Sequence, residues 1–126
     1  MIQNEGPGWR ISRDSMRGEF QFLIGGNGWA FELTEPEWCV LVAIISELTS
    51  QHNQLQEQLM PEELVSLEIE KGSWWASLDG DTNDWSLQIV FQSTESGVRG
   101  FEAHWPQPSA KAVAEAVRTI WDSPTD

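Results

Sequence analysis

Cys39, His52, His104 and the oxygen-rich run Asp79-Gly80-Asp81-Thr82-Asn83-Asp84 are the groups here whose types support nucleophilic, acid–base or metal chemistry. A cysteine nucleophile needs a base close by and a depressed pKa. Cys39 has no histidine near it in sequence and sits among apolar residues, so it reads as an inert core thiol. His52 falls inside an apolar stripe, where a hydrogen-bonded histidine is the default and a pH-sensitive contact the sharper alternative. The run at 79–84 opens like a calcium loop, with oxygen side chains at its first, third and fifth positions. Its sixth position is Asp84 rather than glycine and its twelfth is Val90 rather than glutamate, so it reads as a hairpin turn. Glu68 and Glu70 share a strand face about 7 Å apart, an arrangement that suits a solvated, charge-protected strand better than a catalytic pair. Gly25-Gly26-Asn27-Gly28 would cradle phosphate only if it led from a strand into a helix, and here it joins strand to strand. Arg10, Arg13 and Arg17 place three of the seven basic residues close together, either balancing charge or contacting an anion or acidic partner. No nucleophile, base and acid fall into a recognisable arrangement. The expectation is a protein that is not an enzyme and carries no metal or cofactor.

These residues hang on a framework centred on Leu64–Trp105. Val65, Leu67 and Ile69, then Trp74, Ala76 and Leu78, then Trp85, Leu87, Ile89 and Phe91, then Phe101, Ala103 and Trp105 each alternate with their neighbours. Alternation at period two marks strands with one apolar face. The short Gly-, Ser- and Asp-rich connections between them force antiparallel neighbours. The opposite phase carries Glu68, Glu70, Asp79 and Glu102 with no lysine or arginine, and Trp75 and Val90 as apolar exceptions. That face is acidic by construction.

Ahead of this sheet, residues 1–8 are polar and read as a loose lead-in. A short strand follows at Trp9–Ser12, then a hairpin of Phe20–Ile24 and Trp29–Leu33 about the glycine turn. Thr34-Glu35-Pro36-Glu37 opens a long helix with a capping box and an early proline. Trp38, Leu41, Ile45, Leu48, His52, Leu55 and Leu59 continue one stripe to Pro61. Such a helix outruns one short sheet, so its second half either projects past the sheet or meets another copy of itself, Leu55 and Leu59 then forming the surface of a homodimer. After Pro106-Gln107-Pro108, Ser109 caps a last helix with Val113, Val117, Ile120 and Trp121 on its apolar face, ended by Ser123-Pro124. The whole is one α+β domain over residues 1–126, two antiparallel sheet-plus-helix units in the order βββα-ββββα.

Composition narrows the partners. Twenty acidic against seven basic residues leave a net charge of −13, which repels nucleic acid and anionic lipid. No run of about 18 apolar residues spans a membrane. The N-terminus lacks the basic and apolar regions of a signal peptide, and the lone cysteine suits a reducing compartment. A cytoplasmic location is expected, with an unidentified protein as partner. Arg10, Arg13, Arg17, His52, Leu55, Leu59 and Trp75 are the candidate contact residues.

Gly8-Trp9-Arg10, the Gly-Gly-Asn-Gly-Trp hairpin at 25–29, Glu37-Trp38-Cys39 and the acidic, Trp-rich sheet together resemble a small cyanobacterial family, the domain of unknown function numbered 1818. That family resembles in fold the Whirly-type single-stranded-DNA-binding transcriptional regulators. The resemblance implies paired sheet-and-helix units. It implies no activity, and nucleic-acid binding only by analogy of fold.

Overall fold

The computed structural model describes residues 1–92 and 99–122, the side chains of the last two excepted. The turn expected at 93–97, the Trp121 side chain and the Ser123-Pro124 stop lie outside these residues.

Ten elements follow one another in the chain. The first sheet holds β1 (Ile2–Gly6), β2 (Trp9–Arg13), β3 (Phe22–Gly26) and β4 (Trp29–Leu33), and α1 covers Glu35–Leu55. The second holds β5 (Val65–Lys71), β6 (Trp74–Gly80), β7 (Trp85–Gln92) and β8 (Gly100–Trp105), and α2 covers Ser109–Asp122. Each sheet is an antiparallel meander with its strands in sequence order. The α+β reading therefore holds, but as ββββα-ββββα. The lead-in is a strand: Gln3, Asn4 and Glu5 show no apolar alternation, yet their backbone pairs with Ser12, Ile11 and Arg10. Pro7-Gly8, with Gly8 at φ 79°, supplies the turn that brings them round.

The second sheet obeys its alternation. Trp74, Ala76, Leu78, Trp85, Leu87, Ile89, Phe91, Phe101, Ala103 and Trp105 are all buried. They join Ile11, Ile24, Leu33 and the stripe of α1 in one hydrophobic core. The Thr34 hydroxyl accepts from the Glu37 N–H and the Glu37 carboxylate accepts in turn from the Thr34 N–H, as the capping box requires. The helix runs 21 residues, about 32 Å. It stops at Leu55, short of Leu59. Beyond that point Gln56, Glu57 and Gln58 offer no apolar face, and the Gln56 amide donates to the Thr82 carbonyl.

Neither helix simply backs its own sheet. Trp38 stacks on Phe22 of β3, with centroids 4.7 Å apart, and the body of α1 then lies over β5 and β6 of the second sheet. Helix α2 packs on β1 and β2 of the first sheet as well as on β7 and β8. The Ser109 hydroxyl donates to the Pro7 carbonyl, 2.9 Å away, fastening the start of α2 to the first hairpin. The sheets meet where β8 approaches β3, and there the Trp105 indole donates to the Gly25 carbonyl at 3.0 Å. No helix among the described residues is long and apolar enough to cross a membrane.

Candidate functional site

Alternation in the second sheet sends one set of side chains into the core and the other onto an open face. Strand register arranges that face in rows. Glu70 stands beside Trp75, Trp75 beside Val90 and Val90 beside Glu102, so a half-buried apolar pair lies between two carboxylates. The next row is Glu68, Ser77, Gln88 and His104, and the third Ser66, Asp79 and Ser86. The Ser66 and Ser77 hydroxyls both donate to the Asp79 carboxylate, and the Gln88 amide donates to Glu102 at 3.3 Å. Glu68 and Glu70 are exposed and carry no ion pair or hydrogen bond to a side chain among the described residues. Lys71 falls in the inward phase and pairs with Glu47 of α1, and Arg99 turns away towards Glu37 and Glu32. Among the described residues no lysine or arginine forms an ion pair with a carboxylate of this face.

The other expected contact residues do not converge on it. Arg10 is exposed on the outer face of the first sheet, while alternation puts Arg13 on the inner side, its guanidinium 5.6 Å from the Phe22 ring centroid. Arg17 follows a turn and pairs with Glu32 at 3.0 Å. Proximity in sequence did not make them a cluster, because strand alternation and the turn separate them. Leu55 is the half-buried last residue of α1, and Leu59 belongs to the turn after it, its N–H on the Leu55 carbonyl.

His52 is buried, 2 % exposed, with Nε2 2.8 Å from the Asp81 carbonyl and its ring against Trp85. With Nε2 against a carbonyl, the ring donates there. One turn on, Gln56 donates to the Thr82 carbonyl, and Lys111 of α2 reaches the Asn83 carbonyl at 3.4 Å. His52 of α1, Gln56 just past its end and Lys111 of α2 thus hold three successive carbonyls of the β6–β7 connection. Within it, Asp81 Oδ1 accepts from the N–H groups of Asn83 and Asp84. Those two amides, Asp84 first, hold the Asp81 carboxyl below its ordinary value. The segment is an Asx-type turn, as its sequence suggested. No group of three or more metal-ligating side chains occurs among the described residues.

Two further features escape a reading of the sequence by alternation. Arg99 donates to the Glu37 carboxylate and to the Glu32 carbonyl, and lies 4.8 Å over the Phe20 ring. Burial alone would raise the Glu37 pKa. The hydrogen bond from Arg99, the Thr34 N–H and the guanidinium charge outweigh it and hold the carboxyl below its ordinary value. The second feature is a repeat, Gly6-Pro7-Gly8-Trp9 and Gly26-Asn27-Gly28-Trp29. Each tryptophan lies across the glycine it pairs with, so a Cβ on Gly6 would stand 2.6 Å from the Trp9 indole and one on Gly26 2.5 Å from the Trp29 indole. Both turns line a shallow trough of about 510 Å³ with Glu5 and Arg10 at its side. The Gly-x-Gly-Trp repeat was the available signal for the first hairpin. Cys39 is half-buried, and burial first, then the Glu35 charge, push its thiol pKa up, the reverse of an activated nucleophile.

No curated protein matches the chain. A solved structure of a protein of unknown function from Prochlorococcus sp. NATL2A, described as from the DUF155 family, is 43 % identical. It superposes with a TM-score of 0.89 over 97 % of this chain and 100 % of that one. The model of the domain of unknown function DUF1818 matches residues 4–120, and the chain belongs to that family.

Proposed function

We propose that this chain is a non-catalytic interaction module that docks another protein on the open face of its second sheet. The observation that carries the reading is the single row Glu70–Trp75–Val90–Glu102, an indole and an isopropyl group framed by carboxylates that hold no ion pair among the described residues. Tryptophan at a partly exposed site is a favoured anchor in protein interfaces, and flanking charge sets which partner approaches. The partner that fits is basic, with an apolar side chain to lay against Trp75.

The likeness to Whirly-type regulators belongs to this proposal as one of architecture, supported by two antiparallel four-stranded sheets each followed by a helix. The net charge of −13 and the acidic face argue against a nucleic-acid use of that architecture. The lone half-buried thiol supports a reducing, cytoplasmic setting.

Fluorescence anisotropy with a labelled peptide alternating lysine and valine tests the reading at physiological salt. Saturable binding is expected, weakened about tenfold or more by Trp75→Ala and by Glu70→Lys with Glu102→Lys, at unchanged melting temperature. Equal affinity of the wild type and Trp75→Ala would overturn it.

A further inference from the structure

The open face ends at a strand edge, and the four sheet edges are not alike. β4 has its Glu32 carbonyl taken by Arg99 at 2.6 Å. β8 leans against β3, joined by the Trp105 indole on Gly25. β1 is only five residues long. β5 is different. It is seven residues long, outermost in its sheet, and the backbone groups on its outward side have no partner among the described residues. Such an edge is a template for another strand.

Its side chains say which strand. Towards α1 lie the half-buried Val65 and Leu67, preceded by Leu64, which is 79 % exposed. Towards the open face lie Ser66, Glu68 and Glu70. A fifth strand would therefore meet apolar surface on one side and unpaired carboxylates on the other. A second copy is the wrong guest: pairing two β5 strands antiparallel crowds the Glu68 and Glu70 carboxylates of both onto one face, at cross-strand or diagonal spacing. The same glutamates that guard the edge against its own kind select a guest of opposite charge.

We propose that β5 is a docking edge that captures an extended, alternately basic and apolar segment of a partner protein as a fifth strand of the second sheet. This rests on the reading of the open face as a protein-docking surface, which the added strand would extend past Glu70. Main-chain hydrogen bonds supply the attachment and the alternate side chains supply the choice of partner.

Hydrogen exchange on the full chain, with and without the alternating lysine–valine peptide, decides it. Alternate amides of β5 are expected to exchange about tenfold or more slowly in the complex. The protection should vanish in Glu68→Lys with Glu70→Lys, variants that keep an exposed strand surface. It should vanish too with a peptide methylated on alternate backbone nitrogens, which keeps every charge but cannot form the ladder. A peptide that perturbs Trp75 and Val90 yet leaves β5 exchange unchanged overturns the edge and spares the docking face. A peptide that does not bind at all removes both. Protection of β5 by the chain alone, rising with its concentration and with a doubled mass, would show that the guest is a second copy and overturn the proposed chemistry.

Discussion

Trp38 and Trp105 are 0 % and 1 % exposed, yet only one indole N–H has an acceptor. Trp105 donates across the joint between the sheets to Gly25, whereas Trp38 Nε1 is buried with no partner among the described residues. Replacing each with phenylalanine removes a similar volume. At about 24 cal/mol per Å³, the roughly 40 Å³ lost amounts to about 1 kcal/mol in either case. Trp105→Phe in addition breaks a buried hydrogen bond and weakens the satisfaction of the Gly25 carbonyl, about 1–2 kcal/mol more. Trp38→Phe instead removes an unsatisfied donor, which offsets part or all of its cavity cost. Trp105→Phe is thus expected to cost about 2–3 kcal/mol and Trp38→Phe between about 0 and 1. For a chain of this size the gap of about 2 kcal/mol corresponds to about 8 °C in melting temperature. Urea unfolding followed by far-ultraviolet circular dichroism reads both without relying on indole fluorescence. Equal destabilisation by the two substitutions would refute the assignment of the sheet joint to this hydrogen bond.

The remaining predictions concern acid, nucleic acid and self-association. The Glu37 carboxyl is held below its unfolded value, so it stabilises the fold above that value and the contribution is lost as pH falls through its folded pKa; Glu37→Gln should flatten the acid limb of stability against pH, and an unchanged limb would count against the Arg99 clasp. Anisotropy with a labelled single-stranded DNA oligomer should show no saturable binding at physiological salt, because few lysines and arginines are available to displace counterions; micromolar binding would show that architecture outweighs charge. Because α1 buries Trp38, Leu41, Ile45, Leu48 and His52 within the chain, only Leu55, Leu59 and the exposed Met60 and Leu64 remain for a dimer through that helix. Light scattering at low micromolar concentration tests the expected homodimer: with so little apolar surface left, the 14.3 kDa mass is expected, and a doubled mass would support the two-fold dimer.

Much of the framework was legible because burial on one side writes itself as alternation. The four strands of the second sheet, the capping box and the turn at 81–84 followed from residue types at short range. β1 was hidden because backbone ladders hold it with polar side chains, leaving no period to find. The exchange of helices between sheets depends on where Trp38 meets Phe22, a contact between distant segments that no local pattern encodes. The same holds for the candidate surface. Acidity and Trp75 could be read directly, but the placing of Val90 and Glu102 in Trp75's row required the register. The arginines misled for the complementary reason: closeness in sequence is not closeness on a face when strand alternation intervenes.

The placement of α1 over β5 and β6 has a consequence for the chain during synthesis. The surface made by Leu41, Ile45 and Leu48 leaves the ribosome before the strands of the second sheet that cover it exist. The contacts that close the structure join residues far apart in the chain: Arg99 to Glu37 over 62 positions, Trp105 to Gly25 over 80, Ser109 to Pro7 over 102. Such closures are slow because the entropy of the intervening loop is lost before the contact is gained. Neither half is then an autonomous folding unit. A nascent chain halted after Pro61 would present an uncovered apolar helix, a natural client for a chaperone, until the second sheet arrives to shelter it.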